Sequence, residues 1–285
     1  MPLVSVVLPT YNRAPTLGRA IESVLAQTCE NLELIVIDDG STDDTSDVIA
    51  HYQADRRVRH IRLPGRGGAA AARNAGIREG TSPFVAFQDS DDVWMPTKLE
   101  LQLRLLDVDS NVGWVGGRHR VVTPSDAWEV APSAVIAGDD HRAELLDGRA
   151  FVTPTWLVRR TILEATGGFR ADMPCLEDWD LIFRLDDLCA LGAVDELILE
   201  RHASSDSLFG HLPSQVTGME MMLASHAARW RDFPRQLAAR YRELGRLQAG
   251  VGSRRKAMSS FATALRLEPA GARTYREVVR AIIGK

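Results

Sequence analysis

Along the amino-terminal part of the chain, short apolar runs alternate with segments whose apolar positions recur every three or four residues. The run at 3–8 reads as a strand that Pro9 ends. Leu17, Ile21, Val24 and Leu25 then share one helical face. A second run at 32–37 is closed by Asp38-Asp39-Gly40-Ser41, and 42–52 reads as a helix with Ser41 or Thr42 as its cap. A third strand is predicted at 58–63, a glycine-rich turn at 65–68, a small-residue helix at 69–77, a fourth strand at Phe84–Phe87 and a helix after Pro96. Strand alternating with helix predicts a parallel sheet covered on both faces. The stretch 112–136 holds shorter strand-like pieces that this pattern does not order. Strands are predicted again at 153–158 and 193–199, and helices at 161–166 and 177–185. From His211 onward strand signals stop and helical spacing continues to the end.

Polar residues gather just past the predicted strands, at 9–13, 38–41 and 89–92. Ligands of open α/β sheets bind beyond the carboxyl ends of the strands, so these segments share a candidate edge. The last of them is the most telling. Asp89, Asp91 and Asp92 sit directly behind a buried-type strand, and like charges so close are unfavourable unless a cation shares them. Hard divalent cations take oxygen ligands, and Mg2+ leaves positions open for substrate phosphates. The alternative for this run alone is a solvated acidic turn that caps the helix after Pro96.

Composition narrows the classes. At 285 residues and 45% hydrophobic, the chain is long enough for one sizeable core with an appendage. A net charge of −4 gives no bulk attraction to nucleic acid or to anionic membrane. Cys29, Cys175 and Cys189 form neither ligand spacing nor an even framework, which points to a reduced, cytoplasmic setting. The amino terminus does not resemble a signal peptide, and no apolar run reaches bilayer-spanning length. Peripheral contact with the inner membrane face stays open.

Four segments carry a family resemblance. They are Val4-Ser5-Val6-Val7-Leu8-Pro9-Thr10-Tyr11-Asn12-Arg13, Ile35-Val36-Ile37-Asp38-Asp39-Gly40-Ser41-Thr42-Asp43, Phe87-Gln88-Asp89-Ser90-Asp91-Asp92-Val93-Trp94 and Leu176-Glu177-Asp178-Trp179-Asp180-Leu181. Ala72-Arg73-Asn74-Ala75-Gly76-Ile77 fits the same pattern. In this order the chain resembles the inverting family-two glycosyltransferases over about residues 3–207. The resemblance implies the GT-A fold, a nucleotide-binding α/β/α sandwich with a mostly parallel central sheet. It would occupy 1–208, with a donor half at about 1–110 and an acceptor half at about 111–208. A helical region at 209–285 would follow. The implied reaction is metal-dependent transfer, with inversion, from a nucleotide-sugar to a hydroxyl of a saccharide or glycolipid, in cell-surface glycan biosynthesis. A UDP-sugar is the first expectation, because Asp39 falls where the family's carboxylate meets a pyrimidine imide. That edge is shared by dTDP, and GDP stays open.

The same resemblance assigns roles. Thr10, Tyr11 and Arg13 would hold the nucleotide, Tyr11 lying along the base and Arg13 meeting its polar edge or a phosphate. Asp38 would hold its turn. The turn at 65–68 lacks the lysine and spacing of a P-loop. Arg73 and Asn74 would order the donor site, Arg73 toward the diphosphate, and the alternative for Asn74 is to satisfy backbone groups. Asp91 would bind Mn2+ or Mg2+ directly. Asp89 would contact the ribose, or the metal through water, and Asp92 would support them or cap the next helix. Asp178 would take the acceptor's proton as general base, its pKa raised by partial desolvation. Glu177 would orient Asp178 or meet the acceptor, Gly168 would meet it, and Trp179 and Trp156 would either offer flat rings to a sugar or lie in the core. Asp180 would be structural. His202, in a segment with Ser205 and Ser207, would contact the metal or diphosphate; His119 and His226 receive no role. Gln88 departs from the family, which has an apolar residue there.

Tyr241, Leu244, Gly245, Gly252, Ala257, Phe261, Ala264 and Pro269 stand at tetratricopeptide-like spacings. One repeat cannot bury a core alone, so it should pack on the catalytic domain or on another chain. The readings are a docking surface for a protein partner or a second copy, or a hairpin that covers the domain edge. Basic residues from Arg229 to Lys256 would face solvent or an anionic membrane surface. Other functions fit less well. A sugar nucleotidyltransferase needs a glycine-rich basic loop where 9–13 stands. An inactive scaffold is opposed by intact Asp91 and Asp178, and a glycosidase has no use for a metal–phosphate site.

Overall fold

The computed structural model describes residues 1–123, 128–130, 141–146, 151–202 and 211–283. The chain divides into two compact units. One holds Met1–Gly138, Ala150–Ala171 and Leu181–Ser205; the other holds Asp139–Arg149, Asp172–Asp180 and Asp206–Lys285.

The first unit is built on a sheet that has nine strands among the described residues. They are β1 (Val4–Thr10), β2 (Leu32–Asp38), β3 (Val58–Arg62), β4 (Phe84–Phe87), β5 (Val93–Trp94), β6 (Val112–Val122), β7 (Trp128–Val130), β8 (Leu157–Arg159) and β9 (Ala190–His202). The order is β3-β2-β1-β4-β8-β6-β9-β5, with β7 beside β6. The block β3-β2-β1-β4 is parallel, as the alternation predicts. β8 runs antiparallel to both its neighbours, β5 to β9 and β7 to β6, so the sheet as a whole is mixed. Register pairs Thr10 with Asp38, which sets the ends of β1 and β2 level.

Helices α1 (Ala14–Leu25), α2 (Thr45–Ala50), α3 (Ala69–Glu79) and α4 (Lys98–Val108) follow strands in the first part of the chain. Val4, Val6 and Leu8 of β1 pack with Leu17, Ile21 and Val24 of α1 in one buried cluster, each large side chain contributing roughly 1.5–3 kcal/mol. On α3 the residues are small because the helix lies tight on β1: a Cβ at Gly76 would stand 2.3 Å from Val7 Cγ1.

Two boundaries differ from expectation. α2 starts at Thr45, and neither Ser41 nor Thr42 caps it. Their amides are spent elsewhere, Ser41 N–H on Asp38 Oδ1 at 2.7 Å and Thr42 N–H on Asn12 Oδ1 at 2.8 Å. The strand expected at 153–158 begins as a 3-10 turn, Thr153–Thr155, and extends only at β8.

The second unit is helical: α5 (His141–Leu146), then α8 (Leu212–Ser225), α9 (Pro234–Gly250), α10 (Arg254–Leu267) and α11 (Ala272–Ile283). Between α5 and α8 lie α6 (Arg160–Thr166), in the first unit, and α7 (Glu177–Asp186), whose first turn belongs to the second unit. α9 and α10 turn on Gly252, at φ +78°, and Phe261 packs where Gly245 has no side chain. The expected division at 208 therefore captures only part of this unit, which also takes 139–149 and 172–180. Among the described residues, no helix is long and apolar enough to cross a membrane.

Candidate functional site

In the first unit, the turns after β1 and β2 brace one another. Asn12, at φ +50°, donates its N–H to Ser41 Oγ at 3.0 Å, and Arg13 donates its N–H to Thr45 Oγ1 at 2.9 Å. Thr10 is buried, and its hydroxyl has no partner among the described residues. Asp38 is fully buried and accepts from Ser41 N–H and Arg62 Nη1, so it holds the turn. Asp39 is committed in a way the sequence did not signal. Its two oxygens each accept a backbone N–H, from Gly67 and Gly68, both at 2.7 Å. A carboxylate has about four acceptor positions, so capacity remains for a ligand. The glycine turn it anchors carries Arg66 over the Tyr11 ring, 4.3 Å from the centroid.

The acidic run follows β4. Gln88 is buried and donates Nε2–H to the carbonyl of Asp92 at 2.8 Å, closing the turn. This gives the unexpected glutamine a purpose. Asp92 is buried and accepts the backbone N–H of His202 at 3.0 Å, which ties the run to the end of β9. Arg73, on α3, donates to Asp89 Oδ1 at 2.9 Å and stacks near Phe169. Arg19, on α1, donates to the backbone carbonyl of Asp91 at 2.5 Å. Burial pushes the Asp91 carboxyl up, Asp89 adds to the push, and Arg13 and Arg19 oppose it. Asp92 is pushed well up, by burial and then by Asp89 and Asp91.

These residues fit a divalent cation. The carboxylates are more negative together than their surroundings favour, which a cation would relieve. His202 adds a second observation. Its Nε2 is buried with no hydrogen-bond partner among the described residues, 3.9 Å from Glu200 Oε2, and burial, then Arg19, lowers its pKa, a shift toward the neutral form that a ligand requires. No group of three ligands is pre-assembled among the described residues. A cation that relies on one or two carboxylates and on substrate phosphates does not require one.

Three open alternatives are decided. Asn74 spends its amide on the backbone of Phe169, donating Nδ2–H at 2.7 Å and accepting N–H at 2.9 Å. It holds the Gly168 loop rather than turning to the donor. Gly168 itself is at φ +75°, and a Cβ there would meet Asn74 Oδ1 at 2.6 Å. Trp156 is a core residue, fully buried and stacked on Phe169. Trp179, in the second unit, is only 7% exposed, donates Nε1–H to Leu145 O at 2.9 Å and lies under Arg240. Neither ring offers an open face to a sugar.

In the second unit, Glu177 and Asp178 open α7. Leu176 just before them is at φ +64°, a conformation that costs a branched residue about 1–3 kcal/mol. Asp180 donates its N–H to Leu176 O at 3.0 Å, closing the turn that carries Asp178, and Asp178 Oδ1 accepts the N–H of Trp179 at 2.8 Å. Burial, Glu177 and Asp178 raise the nearby Cys175 thiol to about 11, so it stays protonated at neutral pH. Ser205 and Ser207 lie outside the described residues. Gln88 was singled out only as a departure from the family, Arg19 was missed and His226, which accepts a role below, was given none; Arg19 and His226 stand outside every motif, and only their partners in space reveal them.

A parallel nucleotide-type edge followed by mixed strands is the GT-A arrangement, and solved structures bear this out. Staphylococcus aureus TarS 1–349 in complex with UDP-GlcNAc superposes with a TM-score of 0.68 at 16% identity, covering 100% of this chain and 93% of that one. The mannosyltransferase PcManGT from Pyrobaculum calidifontis, in complex with GDP-Man and Mn2+, gives 0.65 at 18%, covering 99% and 86%. The fold is that of the GT-A glycosyltransferases. The Glycosyl transferase family 2 model matches residues 5–167, more than half of the chain, and the chain belongs to that family. Among curated relatives, Escherichia coli WfgD, a UDP-Glc:alpha-D-GlcNAc-diphosphoundecaprenol beta-1,3-glucosyltransferase, is 37% identical over 120 residues, 42% of this chain and 47% of that protein. The match spans less than half the length of the curated relatives.

Proposed function

We propose that the chain transfers a sugar, with inversion, from a nucleotide-sugar to a hydroxyl of a saccharide or lipid-linked acceptor, with a divalent cation as cofactor. The observation that carries this reading is the acidic run after β4, where Asp89, Asp91 and Asp92 stand close together, Asp91 and Asp92 largely buried, and the run is tied to the end of β9 by the His202 N–H on Asp92 Oδ1. Support for a UDP-sugar comes from WfgD, named for UDP-Glc, and from the UDP-GlcNAc complex of TarS; PcManGT with GDP-Man and Mn2+ supports the cation. The undecaprenol-linked acceptor in the name of WfgD supports work at the inner membrane face, from the cytoplasmic side.

In this reading Tyr11 lies along the base, Asp39 accepts from its imide with the capacity its glycine turn leaves, and Thr10 and Arg13 complete the nucleotide contacts. Arg73 fixes Asp89 for the ribose and faces the diphosphate. Asp91, with Asp89 and His202, would hold Mn2+ or Mg2+. The cation, when bound, neutralises charge on the departing nucleoside diphosphate. Asp178 takes the proton of the acceptor hydroxyl as that oxygen bonds to the anomeric carbon. The bond to the phosphate oxygen breaks on the opposite face, and its electron pair leaves with the diphosphate. Glu177 and the Gly168 loop serve the acceptor.

Two substitutions test the roles separately. Asp91→Asn should abolish the Mn2+-dependent part of UDP binding in calorimetry; affinity that still rises with Mn2+ as in the native chain removes Asp91 from the metal. Asp178→Asn should bind UDP normally and lose transfer by roughly 100-fold or more; turnover near native removes it as the base.

A further inference from the structure

We propose that His226, at the end of α8, is a positioning residue for Asp178, acting through Asp180. This rests on the reading of Asp178 as the base. The turn from Leu176 to Asp180 carries Asp178 at its middle and is closed by the Asp180 N–H on Leu176 O. It begins with Leu176 at φ +64°, a conformation that persists only where the surroundings over-determine it. Those surroundings come from the second unit's own helices. The Asp180 carboxyl is 1% exposed, and its Oδ1 lies 2.9 Å from Nε2 of His226, itself 11% exposed. In its ionised form the Asp180 carboxylate can only accept, and there the imidazole nitrogen supplies the hydrogen. The His226 backbone is fixed in turn, its N–H donated to Met222 O at 3.1 Å.

Neighbouring ties share the task. Trp179 Nε1–H is held by Leu145 O, and its ring by Arg240. Ahead of the turn, α8 lies so close that a Cβ on Gly218 would stand 2.5 Å from Cys175 O. The helices after 211 therefore hold the segment on both sides of Asp178. Proton abstraction is sensitive to placement, an error of about 1 Å being enough to cost about 100-fold. His226 gives this helical region a catalytic purpose that needs no outside partner.

The test reads UDP released from UDP-glucose and UDP-N-acetylglucosamine with Mn2+, water serving as acceptor where no saccharide does, together with calorimetric UDP affinity and the melting temperature. His226→Leu should lower kcat roughly 10- to 100-fold, with KM for the donor and UDP affinity unchanged. His226→Gln, which keeps an N–H for Asp180, should restore most of that rate. The double variant Asp180→Leu with His226→Leu removes the contact from both sides, so neither group is left facing the other's vacant position, and kcat should stay low while the melting temperature reports that the chain is folded. Native kcat in the folded double variant, or in His226→Leu assayed well below its melting temperature, overturns the proposal. Asp178→Asn is run beside them. If it is inactive while the His226 variants are native, only the positioning role falls. If it is native, the base and its positioning residue fall together.

Discussion

Gly76 shows what one missing methyl decides. The hydrogen it presents lets α3 lie on β1, and a Cβ would intrude to 2.3 Å from Val7 Cγ1 and 2.9 Å from Cγ2. Val7 is fully buried in the strand that ends at Thr10, so it has no free volume into which to move. Gly76→Ala should destabilise the chain by about 1–3 kcal/mol through overpacking, despite the better helix propensity of alanine. Urea unfolding checks this: a midpoint equal to or above the native one would show that the helix can lift off the sheet without loss. Residue identity made some of the site legible and hid the rest. Asp89, Asp91 and Asp92 announced themselves because clustered charge demands a reason. Asn74, Trp156 and Trp179 were left between two readings, since an amide or an indole looks the same in sequence whether it meets a ligand or closes a loop or core. The double anchoring of the glycine turn by Asp39 was equally silent, because the partners are backbone amides.

At the scale of elements, α4 carries an amine into the core. Lys98, at its first position, is fully buried, with Nζ 2.8 Å from Gln102 Oε1 and 4.0 Å from the centroid of the Trp94 ring. Burial depresses its pKa well below the ordinary lysine value. In the unfolded chain the amine stays protonated up to about pH 10.4. Between the depressed folded value and that limit the unfolded state binds more protons, so stability rises with pH across the window. Below the folded value both states are charged, the slope vanishes and the full penalty remains. Lys98→Met, of similar length and apolar, should raise stability at neutral pH and flatten its rise as pH climbs toward the ordinary lysine value of about 10.4. Urea midpoints at several pH values decide it, and an unchanged slope would locate the titrating group elsewhere. Among the elements, β1, β2 and β4 were legible because strands buried on both faces read as near-continuous apolar runs, whereas β3, at the sheet's edge, shows only Val58 and Ile61 in a polar stretch. β6 was not, because Gly116 and Gly117 stand where apolar residues would mark it. Phe151 and Ile198 fill those places from elsewhere in the chain. Register shifts against β9 blur its period further.

For the whole molecule, the change of character at His211 was visible, but its consequence was not. The helical unit reaches back to claim 139–149 and 172–180, so it is not a terminal appendage. An acidic first turn such as Glu177-Asp178-Trp179-Asp180 looks self-sufficient in sequence, favoured by its own helix dipole. In the structure it depends on residues far along the chain. Asp180 needs His226, and Trp179 lies under Arg240. A chain ending at 208 would strip both contacts at once, taking the His226 bond from a buried carboxylate and the Arg240 contact from a large indole. Each loss is of a kind that typically costs a few kcal/mol, against a total stability of roughly 5–15. Truncation at 208 should therefore give a chain that binds a hydrophobic dye, shifts tryptophan emission to longer wavelength and unfolds without a sharp transition. A truncated chain that melts cooperatively, with native emission, would mean that 172–180 holds its shape without the helices.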